Sequence, residues 1–252
     1  MTVFYFTGTG NSLAVAKRIG GTLISIPQVI NSDNRYYKDD VIGVVYPVYW
    51  ATAPDMVLEF LVKAKFECDY SFIISTSGGM NGSSLIEAKR VFRQNGYKFD
   101  YMDDATTIDN SMSVGSIETQ KAKKKDSNFA LKVEEIANNI SERKQNNDKK
   151  AGAIIRIFSS VIRKMPNYEK MSQKLSVDDK CNHCKVCMNV CPAGNIEVND
   201  KVHFGKRCTG CLACVHNCPQ NATHFKWERG SSRWRNPDVS LNEIINANNR
   251  MV

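Results

Sequence analysis

The chain has 252 residues, of which 42% are hydrophobic and 24% are charged, and its formal net charge is +8. It has room for one domain of about 150 residues plus a smaller one, and no apolar run approaches the roughly 18 residues of a membrane-spanning helix. A net positive charge often accompanies nucleic-acid binding, but no base-stacking aromatic residues lie beside the basic run at 121–125. We therefore expect a soluble protein that has no transmembrane segment and does not bind nucleic acid.

The amino-terminal half alternates short apolar segments with helical patterns. β-Branched and aromatic residues bounded by turn residues predict strands at 2–6, 22–26, 41–47, 70–76 and 97–102. Apolar residues at helical spacing predict helices at 12–19, 54–65, 83–95 and about 118–143. Strand–helix alternation indicates a parallel sheet covered on both faces. The predicted fold class is therefore α/β, with a doubly wound five-stranded parallel sheet.

The first predicted strand runs into a glycine-rich turn, FTGTGNS, before a helix. Such a turn directs backbone N–H groups and the positive end of the helix dipole at an anion. The stretch lacks the Gly-Lys-Ser/Thr ending of triphosphate loops, and Leu13 stands where the dinucleotide fingerprint has its third glycine. A purely structural turn is the alternative. We predict a monophosphate site formed by Thr7, Gly8, Thr9, Gly10, Asn11 and Ser12.

Two further loops follow the third and fourth predicted strands. In an open α/β sheet, ligands bind beyond the carboxyl ends of strands beside the switch in strand order. Tyr49 or Trp50 can stack on an aromatic ring, although aromatic residues after a buried strand are often core residues. Met80 is expected to be a packing residue. The candidate ring contacts are Pro47, Val48, Tyr49, Trp50, Ser77, Gly78, Gly79, Asn81 and Gly82.

Eight of the nine cysteines lie in two cassettes near the carboxyl terminus, CNHCKVCMNVCP at 181–192 and CTGCLACVHNCP at 208–219. A disulfide framework is disfavoured because no export signal is recognised, so we expect a cytoplasmic location where thiols stay reduced. Zinc usually takes paired Cys-x2-Cys arms separated by a longer loop. The repeated C-x2-C-x2-C-x3-C-P run is instead typical of bacterial iron–sulfur ligands.

In that run the fourth cysteine binds the cluster of the other cassette. The remaining cysteine, Cys68, stands alone and is given no metal role. The four histidines are expected to be ordinary surface or packing residues. We assign Cys181, Cys184 and Cys187 with Cys218 to one [4Fe-4S] cluster, and Cys208, Cys211 and Cys214 with Cys191 to the second.

The pattern T-x-T-G-x-S at 7–12 resembles the phosphate loop of flavodoxins, and residues 177–226 resemble the two-cluster bacterial ferredoxins. The whole chain thus resembles the fused flavodoxin–ferredoxin proteins of anaerobes. The resemblance implies FMN, two [4Fe-4S] clusters, sheet order 2-1-3-4-5 and a small α+β dicluster domain. The implied domains are a flavodoxin-like domain at 1–148, a helical linker at 149–176, the dicluster domain at 177–226 and a tail at 227–252.

These cofactors favour an electron-transfer protein that passes low-potential electrons between redox partners, with ferredoxin-dependent oxidoreductases as the expected partner class. Two oxidised clusters with their thiolates carry about −2 each and a flavin phosphate about −2, which lowers the formal charge of +8 to about +2. The alternative is a flavoenzyme that reduces a small molecule at FMN and uses the clusters as a relay. No nicotinamide fingerprint and no acid–base pair is recognised, so a carrier is favoured over a dedicated catalyst. The oligomeric state is not predicted.

Three segments fall outside these patterns. Residues 106–120 are not an ordinary flavodoxin segment and are expected to cap the flavin or to leave room for a partner. Residues 153–165 have apolar residues at helical spacing, which predicts a connecting helix rather than a membrane-surface helix. The tail, 227–252, contains two tryptophans and three arginines between residues 227 and 235, and the sequence leaves its packing open.

Overall fold

Residues 1–113, 115–123, 128–146 and 168–249 are described by the computed structural model. They divide into two units. The first contains Met1–Phe6, Ser12–Thr107 and 128–146, and the second contains Thr7–Asn11, 108–113, 115–123 and 168–249. The predicted linker helix at 153–165 lies outside the described residues, and the predicted domain boundaries stay a prediction.

Five parallel strands form the sheet of the first unit. They are β1 (Thr2–Tyr5), β2 (Thr22–Ser25), β4 (Val41–Pro47), β6 (Tyr70–Ser77) and β7 (Tyr101–Thr106), while β3 (Tyr36–Lys38) and β5 (Lys65–Glu67) pair separately. The order across the sheet is β2-β1-β4-β6-β7. Counted among the five strands of this sheet, that order is 2-1-3-4-5, which confirms the predicted flavodoxin-like fold class.

The helices of the first unit are α1 (Asn11–Ile19), α2 (Ile26–Val29), α3 (Asp55–Lys63), α4 (Ser84–Gln94) and α6 (Phe129–Ser141), and the second unit contains α5 (Ile117–Lys123). The expectation of one helix over 118–143 is wrong, because Asn128 has a non-helical backbone and α6 begins after it, at Phe129. Residues 124–127 between α5 and α6 are not described. Lys121 and Lys123 lie in the last turn of α5, where they complement the helix dipole.

The core of the first unit explains why these segments form strands and helices. All eight residues of β6 are buried, as expected for a strand covered on both faces. Helix α3 turns Met56, Val57, Phe60 and Leu61 into the same core. Alternating strand and helix segments thereby bury apolar residues on both faces of β6.

The fifth strand of the sheet begins later than predicted, at Tyr101 instead of residue 97. Phe99 stacks on Phe92 with ring centroids 3.9 Å apart, and the Asp100 carboxylate accepts the Ser71 N–H at 2.9 Å. The Asp100 N–H also donates to Ser71 O of β6 at 2.8 Å, so these contacts anchor residues 99 and 100 immediately before the strand. The strand then continues through the polar Asp103, whose carboxylate accepts the Tyr101 hydroxyl at 2.7 Å.

The carboxy-terminal part of the second unit is a small α+β structure built as a repeat. Its elements are α7 (Tyr168–Ser172), β8 (Leu175–Val177), α8 (Val186–Asn189), β9 (Ile196–Val198), β10 (Val202–Phe204), α9 (Ala213–His216), β11 (Thr223–Phe225) and α10 (Leu241–Asn248). Strands β8 and β11 pair antiparallel, and so do β9 and β10. The elements β8, α8 and β9 recur as β10, α9 and β11, so the fold repeats the duplication of the cysteine cassettes.

Among the residues that the structure describes, no helix is both long and apolar enough to cross a membrane.

Candidate cofactor sites

The cysteines of the two cassettes line two separate cavities in the second unit. The first cavity is lined by Cys181, Cys184, Cys187 and Cys218. The second is lined by Cys191, Cys208, Cys211 and Cys214. Each cavity therefore gathers three cysteines from one cassette and the last cysteine from the other.

The backbone of the two cassettes has the same left-handed turns at the same positions. Left-handed residues occur in pairs that occupy equivalent positions of the repeat: His183 and Gly210, Lys185 and Leu212, and Gly194 and Asn221. Non-glycine residues adopt this conformation at a cost of about 1–2 kcal/mol each. Strain that recurs at equivalent positions indicates that both cassettes need the same backbone conformation to place their cysteines.

Backbone N–H groups point at the sulfur atoms. The N–H of Asn195 donates to Cys191 Sγ at 3.3 Å, and the N–H of Ala222 donates to Cys218 Sγ at 3.3 Å. The fourth cysteine of each cassette thus receives the same hydrogen bond. Such bonds stabilise negative charge on sulfur and tune the potential of a bound cluster.

Several of these thiols lie in apolar surroundings that disfavour a free thiolate. Burial raises the pKa of Cys187 to about 11 and raises the pKa of Cys214 well above its usual range. Both side chains pack with Ile196, Val215 and Phe225 in the small core of the unit. Because the thiolate is the metal ligand, metal binding here must release protons. The positive charge of the bound metal then stabilises the thiolates, which burial alone disfavours.

The described residues contain no group of three or more His, Cys, Asp or Glu side chains arranged around a single metal ion. In a four-iron cluster each cysteine binds a different iron atom. Four sulfur atoms spread around a cavity are the donor set that such a cluster takes. The cysteine cavities therefore fit a four-iron cluster.

The predicted phosphate loop, Thr7–Asn11, is buried in the second unit. Its amide N–H groups at Gly8, Thr9 and Asn11 donate to no acceptor within the described residues, whereas the Gly10 N–H donates to Thr7 Oγ1 at 3.1 Å. The hydroxyls of Thr7 and Thr9 each accept a hydrogen bond, which leaves their own hydrogen atoms to donate. Buried donors without acceptors fit an anion such as a phosphate.

The carbonyl oxygens of the same loop are held by residues that sequence reasoning missed. Thr7 O accepts Asn248 Nδ2 at 3.0 Å, and Gly8 O accepts Asn217 Nδ2 at 3.2 Å. Thr9 O accepts the backbone N–H of Asn236 at 2.8 Å. The carbonyl groups are therefore satisfied by the carboxy-terminal part of the chain. Only the capping box that begins α10, Ser240 to Glu243, has a sequence signal.

His216 is a second centre of hydrogen bonds in this unit. It is buried, its Nδ1 accepts the Trp234 N–H at 3.1 Å, and its Nε2 lies 2.7 Å from Asn110 O. Since Nδ1 accepts, Nε2 carries the hydrogen and donates. Burial lowers the pKa of His216 to about 4, so the ring is neutral near pH 7. The histidine is a packing residue, as expected, but it also connects three segments.

The predicted ring loops lie side by side in the first unit because β4 and β6 are neighbours. The Val48 N–H donates to Thr76 O at 2.8 Å, and Ser12 Oγ lies 2.9 Å from Thr76 Oγ1. Gly82 has a positive φ, and a Cβ there would overlap Ala51 O, so only glycine fits this contact. Ala51 and Gly82 thereby fix the two loops against each other.

Side chains in these loops differ in their availability. Tyr49 is partly buried and packs edge-on against Phe6, with ring centroids 6.0 Å apart, whereas Trp50 is 37% exposed. Met80 is 65% exposed, so its expected packing role is wrong, because the loop carries it away from the core. Asn81 Oδ1 is buried with no partner in the described part of the chain. An unpaired buried acceptor fits a ligand N–H group.

Residues 174–219 match the family model of the 4Fe-4S dicluster domain. The chain also matches the crystal structure of a "putative flavoprotein" from Bacteroides uniformis ATCC 8492, with 20% identity, a TM-score of 0.33, and coverage of 49% of this chain and 97% of that one. A second "putative flavoprotein", from Bacteroides eggerthii DSM 20697, matches with 18% identity, a TM-score of 0.32, and coverage of 49% and 94%. No curated protein matches the chain. The fold assignment rests on the strand order, not on these low TM-scores.

Proposed function

Because the chain joins a flavodoxin-like parallel sheet to a 4Fe-4S dicluster domain, we propose that it is an electron-transfer protein that holds FMN and two [4Fe-4S] clusters. The observation that carries the proposal is the sorting of eight cysteines into two separate quartets. Each cluster transfers one electron, while a flavin can take up two electrons and release them one at a time. A protein with both centres connects two-electron and one-electron chemistry.

The cluster ligands are those assigned from the sequence. Cys181, Cys184, Cys187 and Cys218 hold one cluster, and Cys191, Cys208, Cys211 and Cys214 hold the other. Thiolates suit iron because both are soft. The N–H groups of Asn195 and Ala222 stabilise charge on the sulfur atoms, and Cys187 and Cys214 lie buried in the small core of the unit.

The flavin is assigned to the glycine-rich loop and the two ring loops. The amides of Gly8, Thr9 and Asn11 and the hydroxyls of Thr7 and Thr9 bind the phosphate, together with Gly10 and Ser12, which flank the first residue of α1, Asn11. The loops at 47–50 and 77–82 contact the ring through Pro47, Val48, Tyr49, Trp50, Ser77, Gly78, Gly79, Asn81 and Gly82. Among them, Trp50 offers an exposed aromatic surface and Asn81 an unpaired acceptor.

A carrier also needs a surface through which a partner receives electrons. Cys184 is exposed, in contrast to the buried Cys187 and Cys214. His183 and Lys185 beside it are exposed as well. A partner that docks on this loop comes close to a ligand of the first cluster, which suits exchange with ferredoxin-dependent oxidoreductases.

Anaerobic purification with iron, sulfide and flavin analysis tests the cofactor set. We expect about eight iron and eight acid-labile sulfide per chain together with about one FMN. Zinc in place of iron, or the absence of a flavin after reconstitution with FMN, would overturn the corresponding assignment.

The carrier role has its own test. The reduced protein should transfer electrons rapidly to ferredoxin-dependent enzymes and accept them only slowly from NADH or NADPH. Fast, saturable reduction of a specific small molecule by NAD(P)H, without any protein partner, would favour the flavoenzyme instead.

A substitution in the glycine-rich loop tests where the phosphate binds. Thr9→Ala removes a hydroxyl donor, so FMN binding should weaken by about 1–3 kcal/mol. Riboflavin lacks the phosphate, and its affinity should barely change. The measurement is a titration of flavin fluorescence on both ligands, and an equal loss for the two would show that the phosphate lies elsewhere.

A further inference from the structure

Two consecutive residues of the second cassette, His216 and Asn217, lie between Cys214 and Cys218. Those two cysteines line different cavities. The short segment is therefore held at each end by a different cluster in the proposed function. Its side chains are buried and point into the hydrogen-bond network of the glycine-rich loop.

Asn217 reaches the glycine-rich loop directly. Its Nδ2 group donates to Gly8 O at 3.2 Å and to Ala213 O at 2.9 Å. The Ala213 carbonyl belongs to α9, so one amide group joins the cassette helix to the loop. The hydrogen bond to Gly8 O fixes the orientation of the peptide whose N–H belongs to Thr9.

His216 reaches the same loop through two intermediates. On one side its Nε2 donates to Asn110 O, and Asn110 Nδ2 donates to Thr9 Oγ1. On the other side its Nδ1 accepts the Trp234 N–H, and Trp234 Nε1 donates to Asn11 Oδ1 at 3.1 Å. Gly8, Thr9 and Asn11 are thus all held from one dipeptide of the cassette.

From these contacts we propose that cluster loading and phosphate binding at the loop are coupled, and that His216 and Asn217 carry the coupling. The inference rests on the proposed function. When thiolates at Cys214 and Cys218 are fixed by metal, the dipeptide between them is fixed too, and the loop amides keep the orientation that an anion needs. Without the clusters the dipeptide is no longer fixed, and the loop loses its support. FMN binding must then order the loop, and the free-energy cost of that ordering weakens the affinity.

Coupling between two sites is reciprocal in binding free energy. FMN must therefore increase the affinity for iron by the factor by which the clusters increase the affinity for FMN. Riboflavin has no phosphate, so it should produce little of either effect. Comparing the two flavins therefore distinguishes coupling through the phosphate from a general stabilisation of the fold by any bound flavin.

The first experiment measures FMN and riboflavin affinity in the cluster-loaded protein. In Asn217→Ala we expect FMN to bind about five- to tenfold more weakly, which corresponds to the loss of one hydrogen bond, and riboflavin to change less than twofold. Asn189→Ala removes an asparagine side chain from the other cassette, at the position equivalent to His216, and should change neither affinity. Trp234→Phe lies outside the cassettes and serves if Asn217→Ala loses iron. It removes the indole N–H donor to Asn11 Oδ1, which keeps the Asn236 Nδ2 group as its second donor at 3.2 Å.

The second experiment titrates the cluster-loaded protein with an iron chelator, alone and with saturating FMN or riboflavin. We expect FMN to raise the chelator concentration that removes half of the iron by about fivefold, and riboflavin to leave it nearly unchanged. In Asn217→Ala the effect of FMN should fall below about twofold. This readout does not depend on any activity of the protein.

Two outcomes overturn the inference differently. If wild-type protein binds FMN no more tightly than riboflavin, the phosphate assignment fails and the coupling fails with it. If wild-type protein prefers FMN, but both Asn217→Ala and Trp234→Phe retain that preference and FMN protects iron equally in all variants, the coupling alone is wrong.

Discussion

Paired cysteine substitutions distinguish crosswise ligation from a cluster within each cassette. The cavities group Cys187 with Cys218 and place Cys214 in the other quartet. Removing Cys187 or Cys218 alone should cost one cluster, leaving about four of about eight iron atoms. Removing both should still cost one cluster and leave about four. Removing Cys214 and Cys218 together should cost both clusters and leave almost none.

The assay is iron and sulfide per chain in anaerobic protein, after a mild chelator has removed labile iron. Cys68→Ala is the control, because Cys68 packs against the core of the first unit and should leave the count unchanged. If ligation stayed within each cassette, the results for the two double variants would be exchanged. That exchange would refute the crosswise assignment, since Cys214 and Cys218 would then share a cluster.

Three further predictions concern stability. The hydrogen bond to Glu228 raises the pKa of His224 above its ordinary value of about 6.5. The resulting stabilisation is complete below that value and disappears as the pH rises through the raised pKa. The melting temperatures of wild type and His224→Gln should therefore converge at alkaline pH, and a difference that is independent of pH would contradict this. Gly43→Ala places a Cβ against the ring of Phe72 and should cost about 1–3 kcal/mol in urea denaturation, less when Phe72→Leu is also present. Ser240→Ala removes the cap of α10 and should lower stability by about 1 kcal/mol in the same assay, with no change in iron content.

Much of the fold could be predicted because its signals are local. The strands at 2–5, 22–25 and 41–47 lie within a residue of their predicted bounds, since short apolar runs between turn residues leave few alternatives. The start of β7 could not be predicted, because residues 99 and 100 are anchored before the strand by contacts with Phe92 and Ser71, which lie outside the segment. The predicted packing of Met80 was wrong for a similar reason, because the residue type does not determine whether a loop directs its side chain toward the core or toward solvent.

The sequence by itself determined the alternation that makes a parallel sheet, the glycine-rich turn and the duplicated cassettes, because each is a pattern within a few dozen residues. Only the tertiary structure decided what surrounds the loop at 7–11. Trp234 bonds Asn11 across 223 residues, and Asn248 bonds Thr7 across 241. Single hydrogen bonds between such distant residues have no periodicity or spacing rule, and they exist only because the packing of the whole unit brings a few buried amides to carbonyl groups that would otherwise lack donors.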